Sequence, residues 1–203
     1  MPEPNTIESR IQLLVEGNDQ RNFFEAFIDH LSLADIQIQN FGGVTDLRPF
    51  LSILVKRSGF RETVNSIGIV RDAETSAQAA FQSVQSSLRS AGLPVPNRPE
   101  GRTGGSPAVT VLILPGDHRE GMLETLLNET FADTPVDDCI NDFFGCVEAA
   151  SGVPPQRPHK ARAQAYLATK PEPHLSVGVA AKRDYWDLNH PVFSRVRQFL
   201  RAL

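Results

Sequence analysis

Val64 to Glu74 reads VNSIGIVRDAE, an apolar run from Val64 to Val70 that halts at Arg71-Asp72-Ala73-Glu74. Seven residues rich in Val and Ile, bounded by charge, predict a buried strand rather than a helix. Working outward, the same rhythm recurs on both sides. Upstream, Ile11 to Val15 (IQLLV) is a short apolar run stopping at Glu16-Gly17, and Asp35 to Phe41 (DIQIQNF) alternates and stops at Gly42-Gly43. Between these runs lie helix-period stripes: Phe23, Phe24, Phe27, Ile28 and Leu31, then Leu47, Phe50, Leu51, Leu54 and Val55. Downstream, Ala77, Ala80, Phe81, Val84, Leu88 and Ala91 form a third stripe. Strand and helix in strict alternation, with short joints, predict an α/β fold. Its expected form is a Rossmann-like, mainly parallel sheet flanked by helices through right-handed crossovers.

The rest of the chain extends this plan. Gly92 to Ala108 holds four Pro and four Gly in seventeen residues and predicts a long loop. Val109 to Leu114 (VTVLIL) predicts a further strand, and helical patterns cover Gly121–Phe131 and Val136–Ala150. After the Pro-rich joint SGVPPQRP, helical patterns cover His159–Ala168 and Pro191–Leu203. We therefore expect an α/β domain over residues 1–150, with its core motifs in 10–92, a loop at 92–108, and a further strand and helices at 109–150. Residues 151–203 are expected to form a basic helical C-terminal extension packed on the same domain.

With 203 residues, 40% hydrophobic and 22% charged, the chain has the composition of a globular protein and not of a disordered one. Its net charge of −4 excludes a polycationic nucleic-acid coat. That value conceals an asymmetry. Residues 1–150 carry 11 Lys/Arg against 21 Asp/Glu, whereas residues 151–203 carry 9 against 3. An acidic body beside a basic tail fits either a site for cations next to a surface for polyanions or two differently solvated faces. Cys139 and Cys146, seven apart, have no zinc-site spacing and are expected as buried thiols on one helix face. The start MPEPNTIESR has no secretory pattern, and no apolar run reaches ~18 residues. A cytoplasmic protein without a membrane span is expected.

In open parallel sheets, ligands bind beyond the carboxyl ends of the strands. Glu16 ends the first predicted strand, and Asp72 and Glu74 end the third. Were the chain still extended at Ala73, Asp72 and Glu74 would point the same way. Crowded carboxylates repel, and a hard divalent cation such as Mg²⁺ relieves them. The other reading of the same residues is helix capping and a favourable helix dipole.

Leu13-Leu14-Val15-Glu16-Gly17, then Gly42-Gly43, then Ile67 to Glu74 together resemble the Toprim domain. That fold is shared by bacterial primases, type IA and type II topoisomerases, recombination-repair proteins and OLD-type nucleases. Its signature is a Glu-Gly after the first strand and an Asp-x-Asp after the third, and here both fall in order within about residues 10–92. Further similarity to a Toprim-related family of unassigned function covers GMLETLL (121–127), KARAQAYLA (160–168), RDYWDL (183–188) and VFSRVRQFL (192–200).

The resemblance implies Mg²⁺ (or Mn²⁺)-dependent phosphodiester chemistry on nucleic acid, DNA or RNA. Glu16 would then act as general acid/base while Asp72 and Glu74 hold the cation. By analogy with OLD-type nucleases, Glu124 is a fourth metal-ligand candidate, and an ATPase partner is conceivable. Its alternative role is an early-helix acid. Lys160 would neutralise a phosphate; its alternative is an exposed helix lysine. Arg195, Arg197 and Arg201 would extend the phosphate-facing flank. The third-strand motif departs from the signature in reading Asp-Ala-Glu, which leaves open one ion or two, and an active or inactive site. The competing expectation is a catalytically weak or inactive Toprim-like module that binds nucleic acid or protein.

Other chemistries fit less well. A dehalogenase-type phosphatase would carry its Asp motif after the first strand, and no P-loop G-x-x-x-x-G-K-[ST] occurs. Strand passage needs a nucleophilic tyrosine on a further domain, and Tyr166 and Tyr185 are expected as packing residues. Asp19 reads as an early-helix acid, and the five histidines show no ligand spacing.

Overall fold

A computed structural model of the chain describes residues 6–203; Met1 to Asn5, part of the stretch read above for a secretory signal, lie outside them. The elements follow in the order β1 (Ile11–Glu16), α1 (Gly17–His30), β2 (Ile36–Gly42), α2 (Leu47–Leu54), α3 (Phe60–Thr63), β3 (Ser66–Asp72), α4 (Ala77–Ser90) and β4 (Ala108–Leu114). Then come α5 (Leu123–Glu129), α6 (Pro135–Ser151), α7 (Pro158–Leu167), α8 (Val177–Ala181), a 3-10 turn at Pro191–Phe193, and α9 (Ser194–Arg201). Among the described residues no helix is long and apolar enough to cross a membrane.

The four strands pair in parallel in the order β2-β1-β3-β4. From β1 the chain moves outward to β2, then returns past β1 to β3 and moves outward again to β4. The connections thus diverge between β1 and β3, the point at the carboxyl edge where parallel sheets characteristically form a crevice. Side-chain alternation sends the strand residues to two cores. One face packs Leu13, Val15 and Val70 against α1, α5, α7, α8 and α9. The other packs Leu14, Ile67 and Ile69 against α2 and α4. The result is a three-layer α/β/α fold.

The C-terminal segment belongs to the first of these cores. Phe193 meets Phe23 and Phe27 of α1 at 5.6 and 5.5 Å between ring centroids. Tyr166 stacks on Phe131 (4.2 Å) and on Trp186 (5.0 Å), and the Trp186 indole N–H donates to the Val177 carbonyl at 2.9 Å. Each fully buried aromatic contributes about 1.5–3 kcal/mol by removal from water. At Gly178 the approach of α8 to α1 leaves no room for a Cβ: it would lie 2.2 Å from the Asp19 carbonyl oxygen. The Gly178 N–H also donates to the Asp19 carboxylate at 3.2 Å, so this early-helix acid ties two elements together.

Several expectations are corrected. Cys139 and Cys146 are exposed, because α6 turns only Asp137 and Ile140 fully inward. The terminal helix over Pro191–Leu203 is divided, since Pro191 opens a 3-10 turn before α9 begins. Residues 60–63 and 177–181 are helical though no period announced them; four or five residues are too few to show one. Strand β3 begins at Ser66, two residues after the expected Val64.

Candidate active site at the carboxyl edge

Glu16 is the N-cap residue of α1, yet its side chain makes no capping bond. Other groups do that work. The Gln20 side chain accepts the Glu16 N–H at 2.9 Å, and Asn40 Oδ1 accepts both the Gly17 N–H (2.9 Å) and the Gly42 N–H (2.8 Å). A bulge between Val15 and Glu16 shifts the register against β2. The carboxylate is thereby free to face β3, where its Oε2 is buried without a hydrogen-bond partner and lies 3.9 Å from the Arg71 Nε.

Asp72 ends β3 with its Oδ1 accepting the Leu123 N–H of α5 at 3.0 Å. That bond is partly the capping role the sequence allowed. The expectation that Asp72 and Glu74 share one extended face is not met. Glu74 lies in the left-handed region (φ 51°), so the chain turns before it. Two reciprocal backbone hydrogen bonds of 2.8 Å, Glu74 N–H to Gly121 carbonyl and Gly121 N–H to Glu74 carbonyl, fix that turn to the loop entering α5. Gly121 is required there. Its φ is 128°, and a Cβ would lie 2.4 Å from the Thr125 hydroxyl. Through this bridge Glu124, buried in the first turn of α5, joins the cluster. Lys160, from α7, lies 3.6 Å from the Glu124 carboxylate. The structure thus brings Glu16, Asp72, Glu74, Glu124 and Lys160 to the same sheet edge, within electrostatic reach of one another.

The electrostatics follow from that crowding. Burial, then the charges of Glu16, Glu124 and Glu74, hold the Asp72 carboxyl well above the ordinary aspartate range. Burial also raises Glu16, against the opposing pull of the Arg71 guanidinium and the Asp72 backbone N–H. Both folded-state values lie above their unfolded ones, so the folded protein binds more protons across those windows. Without added metal, stability is predicted to fall as pH rises from the ordinary carboxylate range through the raised Asp72 value. Asp72→Asn should flatten that slope and raise Tm at pH 8, by ~2–4 °C for each kcal/mol gained. Thermal melts in chelator from pH 4 to 9 would show it, and an unchanged slope would refute the repulsion.

The donor set, four carboxylates with an orphaned buried oxygen on Glu16, is that of a hard, oxygen-seeking cation. Among the described residues no three His, Cys, Asp or Glu are already gathered about a point that could hold one. Some of these side chains would have to turn before they could share a cation.

Arg71 was not among the site residues expected from the sequence. It lies one residue before Asp72 and so points to the opposite face, toward α4, where its Nη1 faces the Ala80 carbonyl at 3.5 Å. A cation closing the apolar run IGIV was the available signal. The Arg flank is not assembled as expected. Arg195 is bound by Glu100 and Asp117, and Arg197 donates to the Leu188 carbonyl at 3.1 Å. Basic groups do line one cavity beside the carboxylates. It measures about 560 Å³ and lies between Glu74 and Glu120 on one side and Arg157, His159 and Lys160 on the other.

Fold and site together define an α/β protein with a parallel sheet and a carboxylate-rich crevice at its topological switch point. The sequence matches a family over residues 10–203, and the chain belongs to it: the family described as a protein of unknown function (DUF3226). No curated protein and no solved structure matches the chain.

Proposed function

We propose that the chain performs Mg²⁺- or Mn²⁺-dependent phosphodiester chemistry on nucleic acid. The observation that carries this reading is the convergence of Glu16, Asp72, Glu74 and Glu124, with Lys160 beside them, at the crevice between β1 and β3. The Toprim resemblance of Glu16-Gly17 and Asp72-Ala73-Glu74 supports it. The four carboxylates would hold the cation, which when bound stabilises charge developing on the phosphoryl oxygens. Glu16 holds or accepts the proton: its raised pKa brings it closer to neutral pH, and Arg71 limits the rise. Lys160 exchanges its Glu124 partner for a substrate phosphate. The basic wall of Arg157, His159 and Lys160 orients the chain being cut.

The second reading, a nucleic-acid or protein binding module without turnover, has its own supporting observation. Arg71 and Lys160 already neutralise part of the acidic charge. Incubating supercoiled plasmid with Mg²⁺ or Mn²⁺, and with chelator, separates the two. The expected result is metal-dependent nicking that is lost in Glu16→Gln and Asp72→Asn. Nicking unchanged in both variants overturns the mechanism, and salt-sensitive DNA or RNA binding without nicking selects the module.

A further inference from the structure

We propose that the groove between α6 and α7 docks a basic amphipathic helix of another protein. Helix α6 runs for 17 residues but buries only Asp137 and Ile140. Its outer face carries Val136, Phe143 and Val147, which are 39%, 55% and 40% exposed, together with the exposed thiols of Cys139 and Cys146. These positions fall at helical spacing and form a continuous apolar stripe about 16 Å long. Along its first half the stripe deepens into a cavity of about 520 Å³. Val136, Cys139, Ile140 and Phe143 line one wall, and Ala165 of α7 and Ala168 just beyond it line the other. A groove of this length accepts three turns of helix with anchors at i, i+3/i+4 and i+7.

Charge selects the occupant. Residues 133–151 contain five acids and no Lys or Arg. Asp137 is held by Arg162, but Asp138 and Asp142 are exposed one turn apart and border the stripe beside Cys139 and Phe143. A second copy packing α6 on α6 would bring together two segments that each carry five acids and no Lys or Arg. Like charges so placed are destabilising. An anionic lipid surface would be repelled by the same carboxylates. A helix with apolar anchors and with Lys or Arg along the edge that meets α6 fits both the groove and its acidic rim.

Two synthetic 14-residue helices test this, one patterned with Leu and Lys and its counterpart with Leu and Glu. The Leu/Lys peptide is expected to bind saturably by calorimetry, more weakly at high salt, and to slow alkylation of Cys139. The Leu/Glu peptide is expected not to bind. Phe143→Asp should weaken binding at least ten-fold, as should the double variant Asp138→Lys/Asp142→Lys, each with an unchanged melting curve. The charge variant, wholly on the surface, serves if Phe143→Asp proves unstable. The proposal is overturned by absence of saturable binding, by equal binding of both peptides, or by unchanged affinity in the variants. Wild-type dimers that Phe143→Asp dissolves would overturn it too, since the occupant would then be a second copy.

Discussion

Glu16→Gln is expected to slow the proposed cleavage by about 10²–10⁴-fold, the usual contribution of a positioned general acid or base. The amide keeps the shape of the side chain but removes its charge, and with it the capacity to take a proton and to help hold a cation. The surroundings are built without the carboxylate: Gln20 and Asn40 hold the backbone on either side of it, and no capping bond is lost. Rate and fold should therefore separate, with plasmid nicking falling and the circular dichroism spectrum unchanged. Arg71 gives a finer test. Its guanidinium lowers the Glu16 pKa, so Arg71→Gln should raise that value and move the acid limb of the rate profile to higher pH. A limb that stays in place would detach Arg71 from the proton-transfer role of Glu16.

The largest structural effect is expected at Gly178. In Gly178→Ala the new methyl would stand 2.2 Å from the Asp19 oxygen and 2.8 Å from its carbonyl carbon and Cα. All three are backbone atoms of α1, so no side-chain rotation relieves the clash, and α8 must move off. A cost of about 3 kcal/mol follows from overpacking of this kind. That corresponds to a fall in Tm of about 6–12 °C. Gly145→Ala is the control: it lies within α6 with nothing within 4 Å of its Cβ, and is expected to be neutral or stabilising by up to ~1 kcal/mol. Because α1 starts directly after Glu16, the Gly178 variant should also lose cleavage, whereas Gly145→Ala should not.

The strands could be read from the sequence because each is an unbroken or alternating apolar run closed by Gly, Pro or charge, as in IQLLVE and VTVLIL. That reading placed Glu16 and Asp72 at strand ends, and parallel pairing of β1 with β3 makes those ends neighbours. Other features depended on long-range packing that no local pattern encodes. The exposure of Cys139 reflects how little of α6 the body covers. Glu74 left the extended path because its backbone binds Gly121, 47 positions on. Arg195 was expected to face a substrate but found Glu100 and Asp117, one in the Pro-rich loop and one after β4.

That Pro-rich loop carries a consequence of its own. Its Glu100 N–H donates to the Val111 carbonyl at 2.7 Å and its Thr103 N–H to the Val109 carbonyl at 3.0 Å, while the Thr103 hydroxyl accepts the Val109 N–H at 2.8 Å. The outer rim of β4, an apolar strand seven residues long, therefore offers few vacant backbone groups to a passing chain. Exposed strand rims are where sheets recruit foreign strands and begin to aggregate. The segment expected only as a long loop works as the hem of the sheet.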